Sequence, residues 1–388
     1  MPTTVLNGIT WGHSRGITPL LAYAQRFSEL NPDIEVRWKK RTLQEFADLP
    51  IEKLAEQYDL LIIDHPWVGK AAASSCVLPL ESYIPKEYLD DQLLNSVGES
   101  HLSYSYNGHQ WALAIDAATP VSSFRLDLFE KNNTRVPVTW QDVLALAKDG
   151  KVAVPAIAID ILMNFYMFCI AHGEEPFSNE QEVISLETGI LALRTMKELY
   201  TLLDQKMFGF NPIAVAEEMT RTDFYWYCPF AYPYSNYSRS GYAKNLLSYG
   251  GLVYFKHTDR LHSTIGGTGI AVSAFSKNIP VAVKFAQEIV SAECQSTLYV
   301  QHGGQPGHRS AWVNESANNL CNNFFSNVLP AMEQGYMRPR YNGYLHFQDH
   351  AGHYIRQYLL EGGKEELILK ELNDLYKKSL AIPFKLIS

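Results

Sequence analysis

Two clusters of polar side chains stand at the ends of apolar runs, and they are the residues best placed to do chemistry. His13, Ser14 and Arg15 follow the apolar residues 5–11, and Asp64, His65 and Trp67 follow the run 58–63. If each run is a β-strand, both clusters lie beyond strand carboxyl ends, where open α/β sheets bind ligands. A helix launched from the first cluster would turn free N–H groups and the positive end of its dipole toward an anion. Arg15 would add a fork of donors suited to a carboxylate. An imidazole, His13 or His65, beside the Asp64 carboxylate could also serve general acid/base catalysis. A third cluster, residues 223–234, holds four tyrosines, one tryptophan and two phenylalanines, broken by two prolines. A regular element cannot bury so many rings on one side, so some should line a cleft, offering flat faces to the C–H faces of a sugar or to another flat apolar surface.

Other chemistries find no support. There is no GxxxxGK[ST] loop, no GxGxxG after a strand, no HExxH and no GxSxG, which removes nucleotide, dinucleotide, zincin and α/β-hydrolase readings. His101, His109 and His353 read as surface residues. His346 and His350 have i, i+4 spacing without a third metal ligand, so no metal and no cofactor are expected. The five cysteines are widely spaced and odd in number, as buried small apolar residues would be. A formal charge of −8 argues against a nucleic-acid partner, and no stretch is long and apolar enough to span a membrane.

The elements that must position these clusters follow from pattern. The 388 residues exceed one ordinary core, so two domains are expected. Residues 5–11 read as a strand, 18–30 as a helix with Pro19 in its first turn, 34–40 as an alternating strand, and 43–58 as a loop and helix. The run 58–63 is the kind of strand buried on both faces. Residues 151–157 and 250–255 read as strands. Residues 159–171, 188–203, 212–220, 318–333, 347–360 and 364–380 read as helices. Residues 257–263 form a polar link. Gly266 and Gly267 precede a strand over 269–273 and can take positive φ or admit a close neighbour. A helix over 280–291, a shorter one to Val300 and the turn His302-Gly303-Gly304-Gln305-Pro306-Gly307 follow.

That last segment, GGTGIAVSAFSKNIPVAVKFAQEIVSAECQSTLYVQHGGQPGHR, resembles the late part of family 1 extracellular solute-binding proteins, the sugar-binding type of ABC importers. Val136-Pro137-Val138-Thr139-Trp140-Gln141-Asp142-Val143 is similar to their P-x-T-W-d-e-l helix start, with Thr139 as N-cap and Asp142 three residues on. Residues 106–114 resemble their hairpin before the first interdomain crossing. The chain departs from the pattern at Ser75 and Cys76, where glycine is usual, and at Ala114, where proline is usual.

The resemblance implies a two-lobed, type II periplasmic-binding-protein-like α/β fold, each lobe a mixed sheet flanked by helices, joined by multiple hinge crossings. The expected division is 1–115 plus 265–312 for the N-terminal lobe and 116–264 plus 313–388 for the C-terminal lobe. A small polar ligand, whether a sugar, a sugar acid or another carboxylate, would be captured between them for ABC permease subunits, by a monomer. The expected ligand-binding set is His13, Ser14, Arg15, Asp64, His65, Trp67, Asp116, Tyr225, Trp226, Tyr227, Gly266, Gly267 and Gln305. In the alternative, a cytoplasmic enzyme on the same fold, His13, Asp64 and His65 are catalytic and Arg15 anchors a small organic acid. Residues 1–4 run straight into the first strand without a basic, apolar or cleavable leader. The expected location is therefore periplasmic or extracellular if a signal peptide has been removed, and cytoplasmic if Met1 is the native start.

Overall fold

The computed structural model describes residues 4–41, 51–256 and 259–382. The strands that bear on the site are β1 (Thr4–Trp11), β2 (Ile34–Arg41), β3 (Leu60–Ile63), β4 (Leu113–Ala118), β5 (Val121–Phe124), β6 (Tyr227–Ala231), β7 (Ser248–Gly250) and β8 (Gly266–Val272). Five form one mixed sheet in the order β2-β1-β3-β8-β4. Its β1 pairs in parallel with β2 and β3, while β8 runs antiparallel to β3 and β4. Every side chain of β3 is buried, as an uninterrupted Leu-Leu-Ile-Ile strand in the middle of a covered sheet requires. Gly269–Val272 pairs with Ile63–Leu60, so the glycine-led strand returns to the N-terminal sheet.

Thr119-Pro120 carries the chain from β4 into a second sheet, β6-β5-β7, whose named pairs are antiparallel. A parallel bridge from Val152 to Tyr227 makes this sheet mixed as well. The strand expected over 151–157 is otherwise absent. Its backbone changes partner midway, with Ala153 N–H donating to Tyr227 O and Ala156 N–H to Phe210 O. Pro155 between them has no N–H to extend a ladder.

Four helices matter for the site: α1 (Ser14–Leu30), α2 (Ala158–Ala171), α3 (Ile279–Ile289) and α4 (Tyr344–Glu361). α1 and α3 cover the first sheet through Tyr23, Phe27 and Phe285, whose rings meet at centroid distances of 5.1 to 6.1 Å. α2 is apolar nearly all round and buried, and α4 packs along it. Gly352 of α4 lies so close to the Ala158 backbone that a Cβ would collide with its carbonyl. The expected helix over 318–333 is two helices, Glu315–Leu320 and Phe324–Met332. Asn322 and Asn323 have φ of 51° and 59°, left-handed values that end one helix before the next begins. The strand expected over 250–255 is likewise split, into Ser248–Gly250 and Tyr254–Lys256. Residues 43–50 and 257–258, on which a loop and a link were expected, lie outside the described residues; Ile51–Ala55 is helical. All five cysteines are free and buried. Among the described residues no helix is long and apolar enough to cross a membrane.

Candidate functional site

The turn after β1 sets the first wall. α1 begins at Ser14, four residues earlier than its proline suggests, because His13 is extended and its Nδ1 accepts from the Arg15 N–H at 3.0 Å. Arg15 is thereby drawn into the first turn and buried, only 4% exposed. Its Nε donates to Asp116 Oδ2 at 2.9 Å, its Nη2 to Asp116 Oδ1, and its Nη1 to the Pro233 carbonyl at 2.7 Å. The guanidinium lies 5.1 Å from the Tyr234 ring centroid. Burial opposes the Arg15 charge, but Asp116 holds it above its usual pKa. The carboxylate fork expected for a ligand is therefore filled by a residue of the chain.

The end of β3 sets the second wall. Asp64 Oδ1 caps the His65 N–H at 2.9 Å, and Arg338 Nη2 donates to both Asp64 oxygens at 2.9 Å. Burial works to raise the Asp64 pKa, yet Arg338 and the His65 side chain outweigh it and leave the carboxyl well below the usual carboxylate range. His65 itself is fully buried. Burial, reinforced by Arg338, pushes its imidazole down to about 4.

Between these walls lies a cavity of about 600 Å³, within the range of small-molecule sites. Arg15, Asp64, Asp116, Gly266 and Gly267 of the expected set line it. Gly267 has φ +96°, and a Cβ there would strike the Asp116 carbonyl, so this glycine admits the neighbouring strand, while a Cβ on Gly266 would meet the Tyr232 ring. Tyr225, Trp226 and Tyr227 do not line the cavity. Tyr227 is core, Tyr225 Oη donates to Asp204 at 3.1 Å, and Trp226 Nε1 donates to the Asp223 carbonyl. The same aromatic run reaches the cavity later, through Tyr232 and Tyr234. Gln305 is buried in the crossing, its Nε2 on Ala117 O at 2.8 Å and its Oε1 accepting from the Ser235 N–H. His13 and Ser14 contact Tyr242 Oη, at 3.3 and 2.6 Å, outside the cavity wall. Burial and Arg15 lower His13 to about 4. Trp67 packs on a small core behind the sheet. His101, expected at the surface, is buried, its N–H held by Ser96 Oγ.

The wall also contains residues the sequence reading left out: Trp11, Asp160, Met163 and Arg338. Trp11 was legible as the last residue of β1. Arg338 and Asp160 carried no local signal, because their partners or surroundings are remote in sequence. A second hollow of about 690 Å³ lies on the outer face between α1 and α3, where Tyr23 Oη already donates to Glu288.

Two sheets joined by several crossings, with a cavity at the carboxyl ends of β1 and β3, define a type II periplasmic-binding-protein fold. The family described as bacterial extracellular solute-binding protein matches residues 13–295, and this chain belongs to it. Among similar proteins is the mannitol-binding protein of Pseudomonas aeruginosa, 30% identical over 119 residues, which are 29% of this chain and 26% of that protein's length. Among solved structures, maltose-bound T. maritima MalE3 superposes with a TM-score of 0.84 at 18% identity, over 97% of this chain and 99% of that one. A ribitol complex of a solute-binding protein from Agrobacterium radiobacter K84 gives 0.81 at 18%, over 97% of this chain and 100% of that one. The maltotriose-bound binding protein of Thermus thermophilus gives 0.76 at 20%, over 98% and 100%. At these identities the likeness is one of fold.

Proposed function

We propose that this chain captures a neutral polyhydroxylated molecule, a sugar or polyol, for an ABC importer. The observation that carries this reading is the charge balance of the cavity: both arginines in its wall, Arg15 and Arg338, are paired with aspartates of the chain, while Asp160 adds a carboxyl. An acid entering would meet two arginines already committed to carboxylates of the chain, with no unpaired cation among the wall residues described. Trp11, Tyr232 and Tyr234 offer ring faces for C–H surfaces. The names of the similar proteins, which mention mannitol, maltose, ribitol and maltotriose, support the same class. Of the residues the enzymatic alternative would use, Asp64 lines the cavity but is paired with Arg338, while His13 and His65 stand outside the wall.

The same reading divides the chain into two lobes closing on the ligand about the crossings; the expected boundary at 115 falls inside β4, whose Asp116 to Ala118 pair with Thr268 to Gly266, so the lobes become 1–118 plus 265–312 and 119–264 plus 313–388. It also makes permease subunits the partner and the outer side of the membrane the working location. A thermal-shift screen tests it, with mannitol, ribitol, maltose and maltotriose set against glucuronate and gluconate. A neutral ligand at a hundredfold over its Kd should stabilise by about 2.7 kcal/mol. Stabilisation by the acids alone would overturn the reading.

A further inference from the structure

Asp160 is the buried carboxyl that no part of the fold explains. It sits in the first turn of α2, is 6% exposed and belongs to the cavity wall, and its Oδ2, itself shielded from solvent, has no hydrogen-bond partner. Ile157 at the N-cap position has no side chain able to cap, so no side chain occupies the start of the helix either. An unpaired polar atom held out of water is costly, and a helix start facing a cavity is suited to receive a ligand oxygen. The two features converge on the same wall.

We propose that Asp160 reads the ligand's hydroxyl pattern as a neutral carboxylic acid, its O–H donating to one ligand oxygen and its C=O accepting from a neighbouring hydroxyl. This rests on the sugar or polyol reading above. The ionisable groups around Asp160 are Tyr200, Cys228, Tyr232 and Tyr234, all raised by burial and so uncharged at neutral pH. The charged groups elsewhere in the wall are the pairs Arg15–Asp116 and Arg338–Asp64, and Asp349 on α4. Both arginines are thus committed to other carboxylates. Burial raises Asp160 to about 8, so the acid form persists through neutral pH. The helix dipole pulls the other way, but with no donor on Oδ2 burial prevails.

Two measurements separate this inference from the reading it rests on. The first needs no ligand. A carboxyl raised in the folded state contributes stability that is full below its unfolded pKa of about 3.9 and is lost as pH rises to about 8. Wild type should therefore lose melting temperature relative to Asp160→Asn between pH 4 and 8, with a constant gap above. A gap that does not change with pH overturns the neutral acid. The second is calorimetry with mannitol and maltose. Wild-type affinity should fall about tenfold from pH 7 to 9 as the donor is lost. Asp160→Asn, which keeps one donor and one acceptor, should retain most of the affinity without the alkaline loss, and Asp160→Leu should lose at least tenfold. If Asp160→Leu binds as tightly as wild type, the role of Asp160 is overturned while the sugar reading stands. If neither sugar binds wild type, both fall, and the melting curves still report the charge state of Asp160.

Discussion

Arg338 reaches across 274 residues of chain to place Nη2 at 2.9 Å from both oxygens of Asp64. Its Nη1 donates to Gln348 at 2.7 Å, so one side chain ties the carboxyl end of β3 to α4. Arg338 is 4% exposed and Asp64 28%, which makes the pair mostly desolvated. Removing one partner of such a pair leaves an uncompensated charge. Arg338→Met should cost roughly 2–4 kcal/mol, below the full penalty for a deeply buried pair because Asp64 keeps some water. Asp64→Asn combined with Arg338→Met should recover much of that loss. Urea denaturation of the single and double variants measures the coupling; additive losses would mean that the two residues do not act as a pair.

Tyr232 and Tyr225 lie seven residues apart in the same aromatic run, yet only Tyr232 lines the cavity. Tyr225 is turned toward Lys206, whose Nζ lies 4.8 Å from its ring centroid. Tyr232→Leu keeps the bulk and removes the ring face, and should weaken maltose or mannitol binding by about tenfold, or roughly 1.4 kcal/mol. Tyr225→Leu should leave binding within a factor of two or so. Equal losses in calorimetry would return the ligand to the earlier part of the run.

The sequence made the first sheet legible because its strands are unambiguous: β3 is continuously apolar, and glycines lead β8 into a crowded place. The family likeness supplied the order of elements. Side-chain commitments were not legible. A local reading sees Arg15 at a helix start and assigns it to an anion; it cannot see that Asp116, 101 residues on, folds back to fill its fork. Nor does it distinguish Tyr225 to Tyr227 from Tyr232 and Tyr234, since which ring faces the cleft depends on strand register. Asp160 was hidden as well, since the cavity it lines is built from residues remote in sequence.

His13, His65 and His101 are each lowered to about 4, in every case chiefly by burial. A histidine depressed in the folded state contributes stability that is full above its unfolded pKa of about 6.5 and is lost as pH falls toward the folded value. The window is therefore about pH 6.5 down to 4. Each fully buried imidazole can remove on the order of 3 kcal/mol across it. Denaturation at pH 7.5, 6, 5 and 4 should show a steep acid loss, and the Cε1–H resonances of His65 and His101 should stay at neutral positions at pH 5.5. Titration of these resonances near 6.5 would refute the assignment.

Arg15 is the residue on which sequence and structure part most clearly, and a conservative substitution tells the two roles apart. Its guanidinium makes two bonds to Asp116 and one to the Pro233 carbonyl, all from a buried position. Lysine keeps the charge but has no planar fork, so Arg15→Lys cannot satisfy both Asp116 oxygens and the carbonyl from one point. Asp116 would then keep part of its burial cost uncompensated. The expected result is a loss of about 1–3 kcal/mol in urea denaturation. Glucuronate should bind neither protein, because in the wild type the fork is already filled. Were stability intact and binding of an acid selectively lost in the lysine variant, Arg15 would belong to the ligand and not to Asp116.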